Sequence, residues 1–318
     1  MFWSFAMAAR VSSPRDWRAL DQAHRDRGAL ITVIFAADAA ETWAPPPLTG
    51  KRGRPKLYSD TLIEALLTIK VLLRLPLRAV EGFASGLARL AGTAWRVPDY
   101  STLSLRERLL QVDLQALDRT RRRVLMVDST GLKVFGEGEW KVRQHGTDGK
   151  RRTWKKAHLL VDRESGHVIA VEMTDNHVND NLVLPALLPA DLEGDAVLGD
   201  GAYHTRPLHR DVYARGGVLL SPPREDAVRW GPSPTEHDEP AFVFRNQQLR
   251  AIGRLGRQAW KLRSGMSRRS YVEAMMHRLK CVTGDRLAAR TAERQAVELR
   301  LRCKVLNALS VSTVRIKR

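Results

Sequence analysis

The sequence predicts an N-terminal all-α domain followed by an α/β domain. Two changes of pattern along the chain support this division. Between Ser59 and about residue 110, apolar residues recur at the spacing of amphipathic helices, and after residue 121 they occur in short runs separated by turn residues. The predicted boundaries are an N-terminal segment and basic linker over 1–57, a helical domain over 58–120 and an α/β domain over 121–318.

Three short helices are predicted in the helical domain. The first begins near Ser59, which can cap it, and its apolar positions lie three and four residues apart: Leu62, Ile63, Leu66, Leu67, Ile69, Leu72 and Leu73. Leu75-Pro76 ends this helix, a second follows over about 77–90, and a third begins with Ser101 as its cap. Short helices with tight breaks suit a helix-turn-helix DNA-binding domain, and an ordinary helical bundle explains the same pattern equally well.

Short apolar runs in the α/β domain are typical of buried strands: 124–127, 132–135, 158–161, 168–173 and 196–198. The turn residues of 162–166 predict a hairpin, Asp180 is predicted to cap a helix that continues to Leu188, and the weakly patterned stretch 207–260 is predicted to be an insertion or a long connection. This order of strands, a helix, a further strand and a late helix resembles a ribonuclease-H-like α/β domain.

The charge of the chain indicates a polyanionic partner. The formal net charge is +18 and the pI is near 10.6. Residues 245–318 contain 19 Lys and Arg against 4 Asp and Glu, residues 121–156 contain 11 against 4, and the rest of the chain is net −4. An Arg-rich genome is the alternative explanation, but it does not account for the acidic remainder. No segment approaches the roughly 18 apolar residues that span a bilayer, so a cytoplasmic, nucleoid-associated protein without a membrane partner is expected.

The linker contains a short motif with affinity for DNA. Arg52-Gly53-Arg54-Pro55 matches the core of an AT-hook, in which an extended Arg-Gly-Arg-Pro segment lies in the minor groove of A·T-rich DNA. A solvated linker is the alternative explanation for four residues of this kind. In either case Arg52 and Arg54 favour contact with phosphates.

Three carboxylates form a candidate metal site. Asp128 and Asp200 are each predicted to end a short apolar strand, and Glu273 lies on a strongly basic helix. Two aspartates and a glutamate can hold two Mg²⁺ ions for in-line attack at phosphorus, and Mn²⁺ can replace Mg²⁺. Taken singly, each residue also has a structural explanation, as a cap, a turn residue or a solvated helix residue.

Several segments resemble one family over nearly the whole chain from about Asp16. LMVDSTGLKVFGEGEWKVRQHG, LGDGAYHT and WKLRSGMSRRSYVEAMMHRLK are similar to the three catalytic segments of insertion-sequence DDE transposases, in particular the insertion-sequence-five-like branch. The similarity extends to KRGRPKLYSDTLIEALLTIKVLLRLPLRAVEGF, VPDYSTLSLR and ERQAVELRLRCKVLNAL. The resemblance implies a ribonuclease-H-like catalytic domain with Asp128, Asp200 and Glu273 as its catalytic, metal-binding triad.

The resemblance also implies which basic residues contact DNA. Arg269 and Lys280 match the signature residues that bind the donor end, and Arg268 lies beside the first of them. Lys155 and Lys156 belong to the basic group that follows the first carboxylate and would flank the same cleft. Such contacts to phosphates position a duplex without reading its sequence.

The implied function is binding of terminal inverted repeats, followed by Mg²⁺-dependent cleavage and strand transfer by a homo-oligomer that joins two transposon ends to target DNA. Two alternatives remain. One is a nuclease of the same fold that joins nothing. The other is a catalytically dead DNA-binding derivative or repressor, which is suggested by Met266 where the signature has tyrosine and by His204 where relatives commonly have aspartate.

Overall fold

The computed structural model describes residues 57–92, 95–114, 120–134, 154–231 and 239–314, together with Arg18, Gln22, Arg25 and Trp43. The linker motif with Arg52 and Arg54 lies outside the described residues. None of the helices in the described part of the chain is both long enough and apolar enough to cross a membrane.

The described residues fall into two compact units. The first contains the described residues of Gln115–Leu132 and Thr153–Arg278, and the second contains those of Asp16–Leu114 and Leu279–Arg318 together with Lys133 and Val134. The C-terminal stretch from Leu279 therefore groups with the N-terminal helices, whereas the sequence prediction assigned it to the α/β domain.

The second unit is helical. Its helices are α1 (Asp60–Leu73), α2 (Leu77–Leu90), α3 (Tyr100–Glu107) and the C-terminal α9 (Ala292–Val314). The positions of α1 and α2 agree with the sequence prediction, and Ser59 caps α1 by accepting a hydrogen bond from the Leu62 amide at 3.1 Å. The predicted cap of α3 is wrong. The helix begins at Tyr100, so Asp99, not Ser101, is the cap. The Asp99 carboxylate accepts hydrogen bonds from the Thr102 amide and from the Ser101 hydroxyl.

One hydrophobic core joins α9 to the N-terminal helices. Val297 and Leu301 of α9 pack in the same cluster as buried residues of α1 and α3, including Ile63, Leu67 and Leu103. An ion pair between Lys304 and Glu64 adds a polar contact between α9 and α1. This packing explains why the chain end belongs to the helical unit. A helix-turn-helix role for α1 to α3 stays a prediction.

The first unit is built on a mixed five-stranded sheet of order β3-β2-β1-β4-β5. Its strands are β1 (Val124–Lys133, which ends in the second unit), β2 (Trp154–Asp162), β3 (Val168–Asp175), β4 (Ala196–Leu198) and β5 (Val218–Leu220). β2 and β3 form the predicted antiparallel hairpin, and β4 pairs in parallel with both β1 and β5. The prediction of an α/β domain is confirmed, and the mixed sheet fits the ribonuclease-H-like class.

Helices connect and cover the later strands: α4 (Asp180–Leu187), α5 (Arg206–Ala214), α6 (Pro240–Leu255), α7 (Arg257–Arg263) and α8 (Ser270–Thr283), the last of which continues into the second unit. The stretch predicted as an insertion or a long connection is more regular than its weak patterning indicated. It contains most of α5, the sheet strand β5, all of α6 and the beginning of α7, and β5 is too short for its periodicity to be recognised in the sequence.

Candidate active site

Asp128 lies in the middle of a strand, not at its end. β1 continues from Val124 to Lys133 where the sequence predicted a strand ending at Asp128 and a separate apolar run beginning at Leu132. The correction has a simple cause. Ser129, Thr130 and Gly131 have the composition of a turn but continue the extended strand. Pairing with β4 nevertheless stops at Met126, so Asp128 lies two residues beyond the part of β1 that pairs with β4.

The register between β1 and β4 brings the two aspartates to matching positions. Met126 pairs with Leu198, and Asp128 and Asp200 each follow two residues later. Adjacent strands lie about 4.8 Å apart, so the two side chains share one edge of the sheet. Burial raises the pKa of Asp128, and the negative charge of Asp200 acts in the same direction. The Ser129 amide and Arg269 oppose this effect.

Local structure holds Asp200 in place. Its carboxylate accepts a hydrogen bond from the Ala202 amide at 2.8 Å and caps the short 3₁₀ helix Gly201–Tyr203. The ring of Tyr203 folds back over Gly199, where an added Cβ would lie 2.7 Å from the ring carbon Cδ2. Position 199 therefore requires glycine, and this is why Gly199 precedes the aspartate.

Arg269 connects the third carboxylate to the first. Its Nη1 donates to Asp128 Oδ2 at 2.6 Å, and its Nη2 contacts the Oε1 of Glu273, which lies in the first turn of α8. Glu273 is 53% exposed, whereas Asp128 is 17% exposed. Burial lowers the pKa of Arg269, but the negative charges of Asp128 and Glu273 raise it by more, so the net shift of the pKa is upward. The guanidinium is the cation of this carboxylate group.

The donor set fits a hard divalent cation by its chemistry. Carboxylate oxygens are the ligands that Mg²⁺ and Mn²⁺ prefer, and Asp128 and Glu273 already converge on one cationic group. No three His, Cys, Asp or Glu side chains among the described residues lie close enough together to hold a metal ion.

Comparison with known proteins identifies the family. A model described as a transposase DDE domain matches residues 119–308, more than half of the chain, and a second model of the same description matches residues 25–137. The chain belongs to the DDE transposase family. An uncharacterized protein of Aquifex aeolicus (strain VF5) is 29% identical over 177 residues. The similar region covers 50% of this chain and 52% of the relative, so the chain spans about half the length of that relative.

A solved structure of a transposase is also similar. The piggyBac transposase synaptic complex with hairpin DNA matches 90% of this chain and 74% of its own, with a TM-score of 0.41 and 10% sequence identity.

The other basic residues predicted to bind DNA lie in different settings in the fold. Lys155 and Lys156 on β2 form ion pairs with Asp175 and Asp180, and Lys156 also donates to the Val178 carbonyl at 2.9 Å. Lys280 lies in the last turn of α8, two turns beyond Glu273, and Arg268 lies in the 3₁₀ segment before α8. A DNA-binding role of these side chains stays a prediction.

Two positions at which the chain departs from the signature that it resembles have structural explanations. Met266 is only 5% exposed, so it fills a buried position suited to an apolar side chain. His204 accepts a hydrogen bond from Arg245 at 3.2 Å, and its ring lies 4.8 Å from that of Trp230. Neither residue touches the three carboxylates in the contacts that the structure describes.

Trp140, Trp154 and Trp260 lie among basic residues of the sequence, which makes them candidates for stacking on DNA bases or for packing in the core. Trp260 is 1% exposed and donates to Gln248 at 2.8 Å, so it is a core residue. Trp154 is 37% exposed and lies against Gly131 of β1. Trp140 lies outside the described residues.

Sequence analysis did not identify Tyr203 as a residue of the site. Its side chain is 1% exposed, and its hydroxyl has no hydrogen-bond partner within the described ranges. Burial raises its pKa strongly, and the charges of Asp180, Asp128 and Asp200 raise it further. The glycine-alanine-tyrosine pattern was visible in the sequence, but only the folded chain shows that this phenol lies among carboxylates.

Tyr203→Phe is expected to raise the free energy of unfolding by about 1 kcal/mol, because it removes a buried hydroxyl that has no partner and keeps the ring over Gly199. Urea unfolding of the two proteins at pH 7 measures the difference. Tyr203→Leu is the matched control and should be destabilising, since it removes the ring. A loss of stability in Tyr203→Phe would show that the hydroxyl is hydrogen-bonded in solution.

Buried histidines predict acid sensitivity of the same unit. Burial is the main cause that lowers the pKa of His204 to about 4 and that of His209 to about 3, and the charge of Arg245 contributes to both shifts. In the unfolded chain these rings take up protons near pH 6.5. Their contribution to stability is therefore complete above pH 6.5 and is lost as the pH falls towards 4.

We expect the free energy of unfolding to fall by roughly 3 kcal/mol or more between pH 6.5 and pH 4, since each pKa unit corresponds to about 1.4 kcal/mol. Urea unfolding across this range measures the slope. His204→Asn retains an acceptor for Arg245 but cannot titrate there, so its slope should be shallower. The exposed His177→Asn is the control, and equal slopes for both variants would contradict the prediction.

Proposed function

We propose that this chain is a transposase that binds the terminal inverted repeats of an insertion sequence and catalyses Mg²⁺-dependent strand cleavage and strand transfer. The observation that carries the proposal is the placement of Asp128 and Asp200, each two residues beyond the last pair of the β1–β4 register, with Glu273 joined to Asp128 through Arg269. The family membership of residues 119–308 supports the same reaction class.

In the proposed reaction Asp128, Asp200 and Glu273 hold the metal. Bound Mg²⁺ would polarise the phosphoryl group and lower the pKa of an attacking water or 3′ hydroxyl. Glu273 is the most exposed of the three and lies on a different element from the aspartates, so it can turn towards or away from them. Arg269, once it has released a carboxylate, offers the planar donors that suit a DNA phosphate beside the scissile bond.

DNA would be held by basic residues that contact phosphates and do not distinguish between bases. Arg268 and Lys280 flank Glu273 along the chain, and Arg52 and Arg54 lie in the linker before α1. Lys155 and Lys156 would contribute to the positive field beside β2 while remaining paired with carboxylates. Two transposon ends must be brought together, so we propose a homo-oligomer on DNA in the bacterial cytoplasm, associated with the nucleoid.

A strand-transfer assay tests the proposal. Labelled DNA that carries the inverted repeats is incubated with the protein, a target plasmid and Mg²⁺, and the products are separated by size. Covalent joints between donor and target are the expected result. Cleaved donor without joints would favour the non-joining nuclease, and retained DNA binding without cleavage in Mg²⁺ or Mn²⁺ would favour the repressor.

A further inference from the structure

A fourth carboxylate, Asp180, lies next to the proposed metal site. It is the first residue of α4, and the sequence predicted it to be the helix cap. That prediction is wrong, because Asn179 occupies the cap position and neither residue makes a side-chain cap to the helix. The carboxylate instead turns to the sheet, where Oδ2 accepts from the Ser129 hydroxyl at 2.8 Å and Oδ1 accepts from Lys156 at 3.0 Å.

Ser129 connects Asp180 to Asp128. Its backbone amide donates to Asp128 Oδ1 at 2.8 Å, while its hydroxyl donates to Asp180. One residue therefore contacts both carboxylates, Asp128 through its amide and Asp180 through its hydroxyl. On the β4 side, backbone pairing of β1 ends at Met126, and these contacts are side-chain bonds at the point where that pairing has stopped.

The surroundings of Asp180 are well ordered by other contacts. Asp180 is 19% exposed, and it lies 3.8 Å from the Nδ1 of His158, a fully buried residue whose other nitrogen bonds Thr174 at 2.8 Å. Burial lowers the pKa of His158, and Lys156 acts in the same direction against the charge of Asp180. Lys156 and Ser129 thus hold the Asp180 carboxylate against β2 and β1.

We propose that Asp180 is a positioning residue for the metal-binding carboxylate Asp128, acting through Ser129. Asp180 need not touch the metal or the DNA. Groups that hydrogen-bond to a ligand, or orient it, typically change metal affinity or activity by about 10–100-fold when they are removed. This inference rests on the proposed function only in assuming that Asp128 binds metal.

Mn²⁺ binding to the DNA-free protein provides a readout that does not depend on catalysis. We expect Asp180→Asn and Ser129→Ala each to weaken Mn²⁺ binding about tenfold or more, measured by electron paramagnetic resonance titration. Ser129→Thr keeps both the amide and a hydroxyl and should bind Mn²⁺ within about twofold of the unmodified protein. The Ser129→Ala and Ser129→Thr pair also guards against a failure of Asp180→Asn to fold.

Asp175→Asn is the matched control. Asp175 pairs with Lys155, the neighbour of Lys156 on β2, but it is 54% exposed and lies on β3, which β2 separates from β1. Asp175→Asn makes the same chemical change as Asp180→Asn, on a strand of the same sheet, and should leave Mn²⁺ affinity unchanged.

A double-mutant cycle separates positioning from a general electrostatic effect. If Asp180 acts through Ser129, the double variant Ser129→Ala/Asp180→Asn should bind Mn²⁺ about as weakly as either single variant. Additive losses, or affinity of Asp180→Asn within twofold of the unmodified protein, would overturn the proposal. Failure of the unmodified protein to cleave or join DNA would instead count against the proposed function, because Mn²⁺ binding is measured without DNA.

Discussion

Replacing Asp128 by asparagine is expected to lower the rate of DNA strand cleavage by about 1,000-fold or more while DNA binding is retained. The side chain keeps its size but loses the charge that faces Asp200 and Arg269. Stabilisation of charge by a metal ion is worth several kcal/mol in the transition state, and about 1.4 kcal/mol corresponds to a tenfold change in rate. Cleavage of inverted-repeat DNA under single-turnover conditions measures the loss.

The matched variant for this experiment is Asp175→Asn, which removes a carboxylate from the same sheet at a position outside the proposed site. It should cleave DNA at a rate far closer to that of the unmodified protein. Gel-shift measurements with the same DNA confirm that binding survives in Asp128→Asn. Cleavage within tenfold of the unmodified protein would mean that Asp128 is not a metal-binding residue.

Replacing Asp195 by alanine is expected to lower the free energy of unfolding by about 3–5 kcal/mol. Asp195 is 1% exposed and Arg123 is 5% exposed. The carboxylate accepts from the Arg123 amide at 2.8 Å and forms an ion pair with its guanidinium, immediately before β1 and β4 begin to pair. Removal of the Asp195 carboxylate leaves the buried Arg123 guanidinium without its ion-pair partner.

Urea unfolding of Asp195→Ala at pH 7 measures this loss. A second variant, Arg123→Met/Asp195→Leu, replaces both charges by apolar side chains and should recover much of the lost stability, because a buried ion pair is worth little beyond an apolar pair of similar volume. The exposed pair of Arg210 and Glu239 is the control, and Glu239→Ala should destabilise the protein far less than Asp195→Ala does. A loss below 1 kcal/mol in Asp195→Ala would show that Arg123 is solvated.

The sequence predicts the elements whose signals are local. Ser59 and the apolar spacing after it place the start of α1, and Leu75-Pro76 separates α1 from α2. The short apolar run Ala196–Leu198 likewise predicts β4, and Asp200 follows the end of that strand as expected. Each of these features depends on neighbours within a few positions along the chain.

The features that the sequence does not predict depend on partners far away in the chain. Asp180 has the local signature of a helix cap, yet its carboxylate binds Ser129, 51 residues earlier. Arg269 is predicted to contact DNA, and in the folded chain it bridges Asp128 and Glu273. Such side chains can form long-range pairs instead of capping a helix or contacting solvent. The pattern of residues along the sequence does not show which of these contacts forms.

The central claim is that Asp128 binds the metal used to cut DNA. Replacement of Asp128 by cysteine tests it most directly, because sulfur is a poor ligand for Mg²⁺ and a better one for softer divalent ions. We predict that Asp128→Cys is inactive in cleavage of inverted-repeat DNA with Mg²⁺ and that Mn²⁺ restores cleavage at least about tenfold. Equal activity of Asp128→Cys in Mg²⁺ and Mn²⁺ would contradict direct metal binding by this residue.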